Sequence, residues 1–182
     1  VAALRAIPGL DVMRPADANE TVHAVRLAVE GNAPMALIMS RQNLPVLEGT
    51  SFEGVANGGY VLREAEGAQL NLVATGSEVS VILAAADRLA ADGIVARVVS
   101  LPSWERFEAA GRSNQASVLP SDVPTLAVEA QVTFGWHRWA DDVIGIDRFG
   151  TSAPGDLVLD KLGINVDNVV ARATALVQDE QS

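Results

Sequence analysis

Residues 69–101 constrain the fold more than any other stretch of this sequence. An apolar segment at 69–74 leads through Thr75-Gly76-Ser77-Glu78 into a helical pattern with Val81, Ile82, Ala85 and Leu89 on one face. Gly93 closes that helix, and residues 94–101 form the next apolar strand. With only a short turn at each end, a right-handed crossover makes the two strands parallel neighbours in one sheet. The same step is readable earlier. A short strand at 10–13 precedes Asp17, a helix N-cap with Glu20 three residues on as its capping-box partner. The helix runs to about Glu30, with Ala18, Val22, Val25 and Val29 on one face and Asn19, His23, Arg26 and Glu30 on another, and Gly31-Asn32 stops it. The continuous apolar run 35–39 between Pro34 and Ser40 predicts a strand buried on both faces. Residues 1–7 read as the tail of a helix begun upstream.

Periodicity is lost from Gln42 to Gly59, where Pro45, Gly49, Gly54 and Gly58-Gly59 accumulate, so a linker and domain boundary are expected there. Beyond it the sequence predicts a short strand at 60–63, a helix capped by Ser103 through Trp104 and Phe107, and a turn at 120–124. Strands at 125–128 and 143–146 flank a short helix at 134–140; two helices follow at 154–162 and 166–177, the last capped near Asn165 or Asp167. The fold class is α/β: an open, mostly parallel sheet with helices on both faces, preceded by a partial second α/β domain.

At 182 residues and 49% hydrophobic, the chain can bury a core without metal or disulfide staples. It has no cysteine, hence no thiolate nucleophile and no sulfur-built zinc site. Thirteen Lys and Arg against 23 Asp and Glu give a net charge of -10, which repels a nucleic-acid backbone. The sequence shows neither a signal peptide nor 18 uninterrupted apolar residues, so a cytoplasmic location away from membranes is expected. Lys161 is the sole lysine and thus the sole Schiff-base candidate.

His23 and His137 belong to no metal-ligand pair; His23 reads as a solvated surface residue, and His137 as packed with Phe134, Trp136 and Trp139 in an aromatic cluster or at an interface. Ser77 lacks the nucleophile-elbow pattern and reads as a helix cap. Thr75-Gly76-Ser77 offers N–H groups for an anion at a helix start, without a GxGxxG or Walker pattern. Asp141-Asp142 reads as a solvated helix-end pair. Glu129, ending an apolar strand, is the acid placed for an unusual pKa, read as satisfying backbone groups at a subunit contact. Ser40-Arg41-Gln42-Asn43 puts four hydrogen-bonding side chains directly after a strand. Arg41 there has two readings: a planar fork for phosphate or carboxylate in the crevice beyond the strand ends, or an interdomain ion pair.

The words MRPADANE, SRQNLP, ATGSEV with its following helix, FGWHRWA and FGTSAP, in that order, resemble the C-terminal part of transketolase from about Arg5 to about Ala173. The resemblance implies an enzyme of the pentose phosphate pathway and Calvin cycle that moves a two-carbon ketol group from a ketose phosphate to an aldose phosphate. It implies thiamine diphosphate, a divalent metal (magnesium or calcium), and a homodimer with active sites between subunits. Residues 1–44 then correspond to the end of the pyrimidine-binding domain, 45–57 to a linker and 58–182 to the C-terminal domain. Arg41 matches the family arginine that holds the sugar phosphate. The family's catalytic, cofactor-binding and metal-binding residues correspond to none in this chain; they belong to an N-terminal remainder. The chain is therefore expected to be inactive alone, with apolar surface around Val22, Val25 and Leu37 left for that remainder to cover. The alternative is a free-standing structural or dimerisation module that binds no sugar.

Overall fold

The computed structural model describes residues 1–180. A short helix α1 (Ala2–Arg5) leads to β1 (Asp11–Met13), α2 (Ala18–Glu30) and β2 (Met35–Leu37), and β1 and β2 pair in parallel, completing the first strand–helix–strand unit. The start of α2 forms as its sequence dictates: Asp17 Oδ1 accepts the Glu20 N–H at 2.8 Å. Glu20 returns the bond one residue further back, to the Ala16 N–H at 2.7 Å, because its carboxylate is turned into the protein.

That inward turn corrects the expected helix face. The buried side of α2 is Glu20 and Ala24, with Leu27 half-buried beside them, whereas Val22, Val25 and Val29 are 65%, 44% and 79% exposed. β2 is likewise half-buried rather than enclosed, since a two-stranded sheet leaves one edge and much of one face open. Leu37 itself packs against the small cluster of Met13, Ala24, Val55 and Tyr60.

The second unit contains α3 (Phe52–Ala56), β3 (Tyr60–Arg63), β4 (Leu70–Ala74), α4 (Glu78–Ala91), β5 (Ala96–Ser100), α5 (Trp104–Ala109), α6 (Gly111–Val118), β6 (Thr125–Val128), β7 (Asp142–Ile144), α7 (Gly155–Lys161) and α8 (Val166–Glu180). Its strands lie in the order β3-β5-β4-β6-β7, all parallel except the β3 edge strand. Side chains alternate across the sheet: Leu70, Leu72 and Ala74 meet α4 and α8, while Val73 meets Trp104, Phe107 and Trp136 on the opposite face. Asn165 caps α8 through the Asn168 N–H at 2.8 Å, and Ser103 caps α5.

Three elements differ from expectation. The Gln42–Gly59 stretch contains α3, capped by Ser51, rather than continuous linker. α6 was not legible, because only Val118 of its eight residues is buried. Residues 134–140 hold a single 3-10 turn, Trp136–Arg138, instead of a helix. Gly58 marks a close approach: it has φ +78°, and a Cβ would stand 2.4 Å from both Phe107 N and Ser103 O.

Leu72 is fully buried in the central strand and Val29 largely exposed. In this chain Leu72→Ala is expected to cost roughly 2–5 kcal/mol by urea denaturation, and Val29→Ala no more than about 0.5 kcal/mol.

Candidate functional site

The carboxyl ends of β1 and β2 point the same way and open onto a crevice of about 280 Å3, lined by Pro15, Asp17, Thr21, Met39, Ser40 and Gln42 among others. Ser40, Gln42 and Asn43 form one wall, with Arg41 between them in sequence. Arg41 is exposed and, among the described residues, makes no ion pair, so the interdomain pair open to it is not formed. Asp17 has both carboxylate oxygens engaged, by the Glu20 N–H at 2.8 Å and the Leu47 N–H at 2.7 Å; it shapes the crevice rather than serving as an acid or base. The start of α7 reaches the same wall, since a Cβ on Gly155 would lie 4.0 Å from Gln42 Cγ.

Behind this crevice the strand β1 is fastened to the larger sheet. Arg14 donates its N–H to Pro102 O at 2.9 Å and accepts the Gly76 N–H at 3.0 Å. Its Nη1 lies 3.0 Å from both Glu78 Oε2 and Glu129 Oε1 and donates to the Thr75 hydroxyl. Arg5 grips Glu129 with both terminal nitrogens, at 2.8 and 2.7 Å, and stacks 3.8 Å over the Trp104 ring. Thr75 Oγ1 and Trp136 Nε1 complete the shell of Glu129 at 2.7 and 2.8 Å. Burial pushes the Glu129 carboxyl up, but Arg5, Arg14 and Thr75 outweigh it and bring its pKa down to about 2. Burial also opposes the Arg14 cation, and Glu78 and Glu129 more than compensate, so its pKa is raised.

A second buried carboxylate on the same seam is treated oppositely. Glu20 receives Tyr60 OH at 2.7 Å, Ser100 Oγ at 2.6 Å and the Ala16 N–H at 2.7 Å, with no cation, and burial raises its pKa. Burial and Glu20 together push the Tyr60 hydroxyl up as well. Asp11 adds an ion pair to Arg106 and accepts Ser103 Oγ at 2.6 Å.

The other candidates are dispersed. Glu129 is not at a subunit contact: it is wholly buried within the chain. Ser77 does not cap α4; its hydroxyl donates to Glu78 Oε1 at 2.6 Å. The Thr75-Gly76-Ser77 turn is lined by carboxylates and filled by Arg14, so it offers no anion cradle. His137 and Phe134 are exposed, leaving Trp136 and Trp139 inside, with Trp139 edge-on to Phe107 at 5.0 Å. His23 is half-buried edge-on to Phe52 at 5.6 Å, not simply solvated. Asp141 and Asp142 lead into β7 and are both engaged, by the Thr125 N–H at 2.8 Å and by Arg172. Lys161 is exposed at the end of α7. Sequence reasoning missed Arg5 and Arg14, although an arginine ending a buried strand already implies an anionic partner.

Residues 58–165 match the transketolase-like TK C-terminal domain, and residues 1–46 match the transketolase pyrimidine-binding domain. The chain belongs to the transketolase family. A transketolase from Halalkalibacterium halodurans is 50% identical over 99% of this chain and 28% of its own length. A transketolase from Pichia stipitis, solved in complex with sedoheptulose 7-phosphate, superposes with a TM-score of 0.95 at 40% identity over 99% of this chain and 27% of its own. A split-gene transketolase described as an inactive β4 tetramer gives 0.81 at 25% identity, covering 97% of this chain and 61% of its own. The chain thus spans little more than a quarter of the first two enzymes. No helix among the described residues is long and apolar enough to cross a membrane.

Glu129→Gln removes the charge that two buried arginines share, and is expected to cost about 3–5 kcal/mol at neutral pH. Because the folded pKa lies below the ordinary 4.5, the stabilisation from Glu129 is complete above that value and is lost as the pH falls toward about 2. Glu20, with its raised pKa, acts in the opposite sense and favours the folded state as the pH falls. Urea midpoints measured from pH 7 to 2 should show a steeper acid loss for the unmodified chain than for Glu129→Gln.

Proposed function

We propose that this chain supplies the C-terminal part of a transketolase that transfers a two-carbon ketol group from a ketose phosphate to an aldose phosphate, with Arg41 holding the sugar phosphate. The observation that carries this reading is an exposed guanidinium without an ion pair among the described residues, standing beyond the end of β2 beside a crevice with polar walls. That is where open α/β sheets receive ligands, and a planar fork suits a phosphate dianion. The sugar-phosphate complex of the Pichia stipitis relative supports the substrate class.

In this reading residues 1–44 close a pyrimidine-binding domain whose remainder is an N-terminal partner segment, 45–57 connect, and 58–182 form the C-terminal domain. The inactive tetramer of the split-gene relative supports an N-terminal partner and no turnover without it. The family and its pyrimidine-binding domain imply thiamine diphosphate with a divalent metal in the whole enzyme. The residues described here do not fit either group: no three His, Asp or Glu side chains come together, and the crevice beyond β1 and β2 has no aromatic wall. The groups that hold the cofactor and carry out the proton transfers belong to the partner segment. The whole enzyme is then a cytoplasmic homodimer, with Phe134 and Phe149, 75% and 96% exposed, as the apolar surface offered to a second subunit.

In the full-length enzyme Arg41→Ala should raise KM for phosphorylated sugars about 10- to 100-fold, the worth of a charge-assisted contact, with a smaller change in kcat. An unchanged KM in steady-state ketol transfer contradicts the assignment.

A further inference from the structure

We propose that the crevice at the carboxyl ends of β4 and β6 is an alkylguanidinium-binding site, filled in this chain by Arg14, through which the larger α/β unit recognises the strand that precedes it. The topology locates the crevice. From β4 the chain crosses by α4, on one face, to β5; from β5 it crosses by α5 and α6, on the other face, to β6. Neighbouring strands β4 and β6 therefore part company in their connections, and the gap beyond such carboxyl ends is the ordinary ligand position of an open α/β sheet.

The chemistry of its walls selects the ligand. Thr75 follows β4, Glu78 lies in the first turn of α4, and Glu129 follows β6; their relative exposures are 0%, 1% and 0%. Two carboxylates so buried need a cation between them, and an anion is excluded. One guanidinium nitrogen of Arg14 meets all three acceptors at once. The flat group also needs a wall without a side chain, which Gly76 provides: it has φ +58°, and a Cβ there would stand 3.1 Å from Nη2 and 3.2 Å from Cζ. Arg14 Nε is buried without an acceptor and the side-chain contacts made run through Nη1, so a short alkylguanidinium reproduces them. Arg5 closes the far side of Glu129. The inference is independent of any role for Arg41.

Chemical rescue tests it. In the full chain Arg14→Ala should lower the thermal midpoint, and methylguanidinium at millimolar concentration should restore it saturably, by about 3–5 °C at ten times its dissociation constant. Methylammonium at equal concentration should not, because it lacks the flat face that lies against Gly76. The unmodified chain should not respond, and adding Glu129→Gln to Arg14→Ala should abolish the response. If Arg14→Ala accumulates unfolded, the readout becomes the refolding yield: recovery with methylguanidinium alone supports the site, and no recovery overturns it. A response equal for methylammonium, or equal in the unmodified chain, also overturns it.

Discussion

The arrangement of this chain depends on the carboxylate of Glu129. It is wholly buried and receives five hydrogen bonds, from Arg5 twice, Arg14, Thr75 and Trp136. The arginines stand 124 and 115 residues away in sequence, so the same contacts that satisfy the charge fix where the first strand–helix–strand unit sits on the larger sheet. An ion pair of this kind adds little net stability over an apolar contact, but it is costly to break and admits one geometry. The geometry matters downstream. Arg14 follows β1, β1 pairs with β2, and the chain leaving β2 lines the crevice with Ser40 and Gln42 on either side of Arg41 in sequence, so the position of the candidate phosphate ligand is inherited from Glu129.

Two of the buried carboxylates on the seam have opposite electrostatics. Glu129 is held ionised by cations, whereas Glu20 is surrounded by hydroxyls and a backbone N–H and leans toward its proton. Tyr60 and Ser100, which bond Glu20, belong to adjacent strands β3 and β5, so this contact ties α2 to the edge of the sheet as Glu129 ties β1 to its centre. The outward face of α2 is left with Val22, Val25 and Val29, a surface that suits the partner segment invoked for the whole enzyme.

Much of the framework was legible because it rests on local chemistry. Asp17 and Ser103 cap the helices their side chains announce, and the 69–101 unit folds as its period and its closing Gly93 require. The antiparallel pairing of β3 was not legible, since four residues carry no directional signal. α6 escaped notice because its sequence, GRSNQASV, has almost no apolar stripe. The face of α2 was misjudged for a physical reason: a glutamate with three hydrogen-bond donors lies inside, and valines lie outside. At the site, Arg41 could be singled out from its place after a strand, and the resemblance to transketolase gave it a role. The partners of Glu129 could not be, because no spacing relates residues 5, 14, 75 and 129.

The most direct test of this account is a double-mutant cycle between Arg14→Ala and Glu129→Gln in the full chain, read by urea denaturation. A coupling of about 2 kcal/mol or more is predicted for a buried pair that holds two units together. A coupling below about 0.5 kcal/mol would mean that the two residues act independently, and that the seam is held by apolar contact alone.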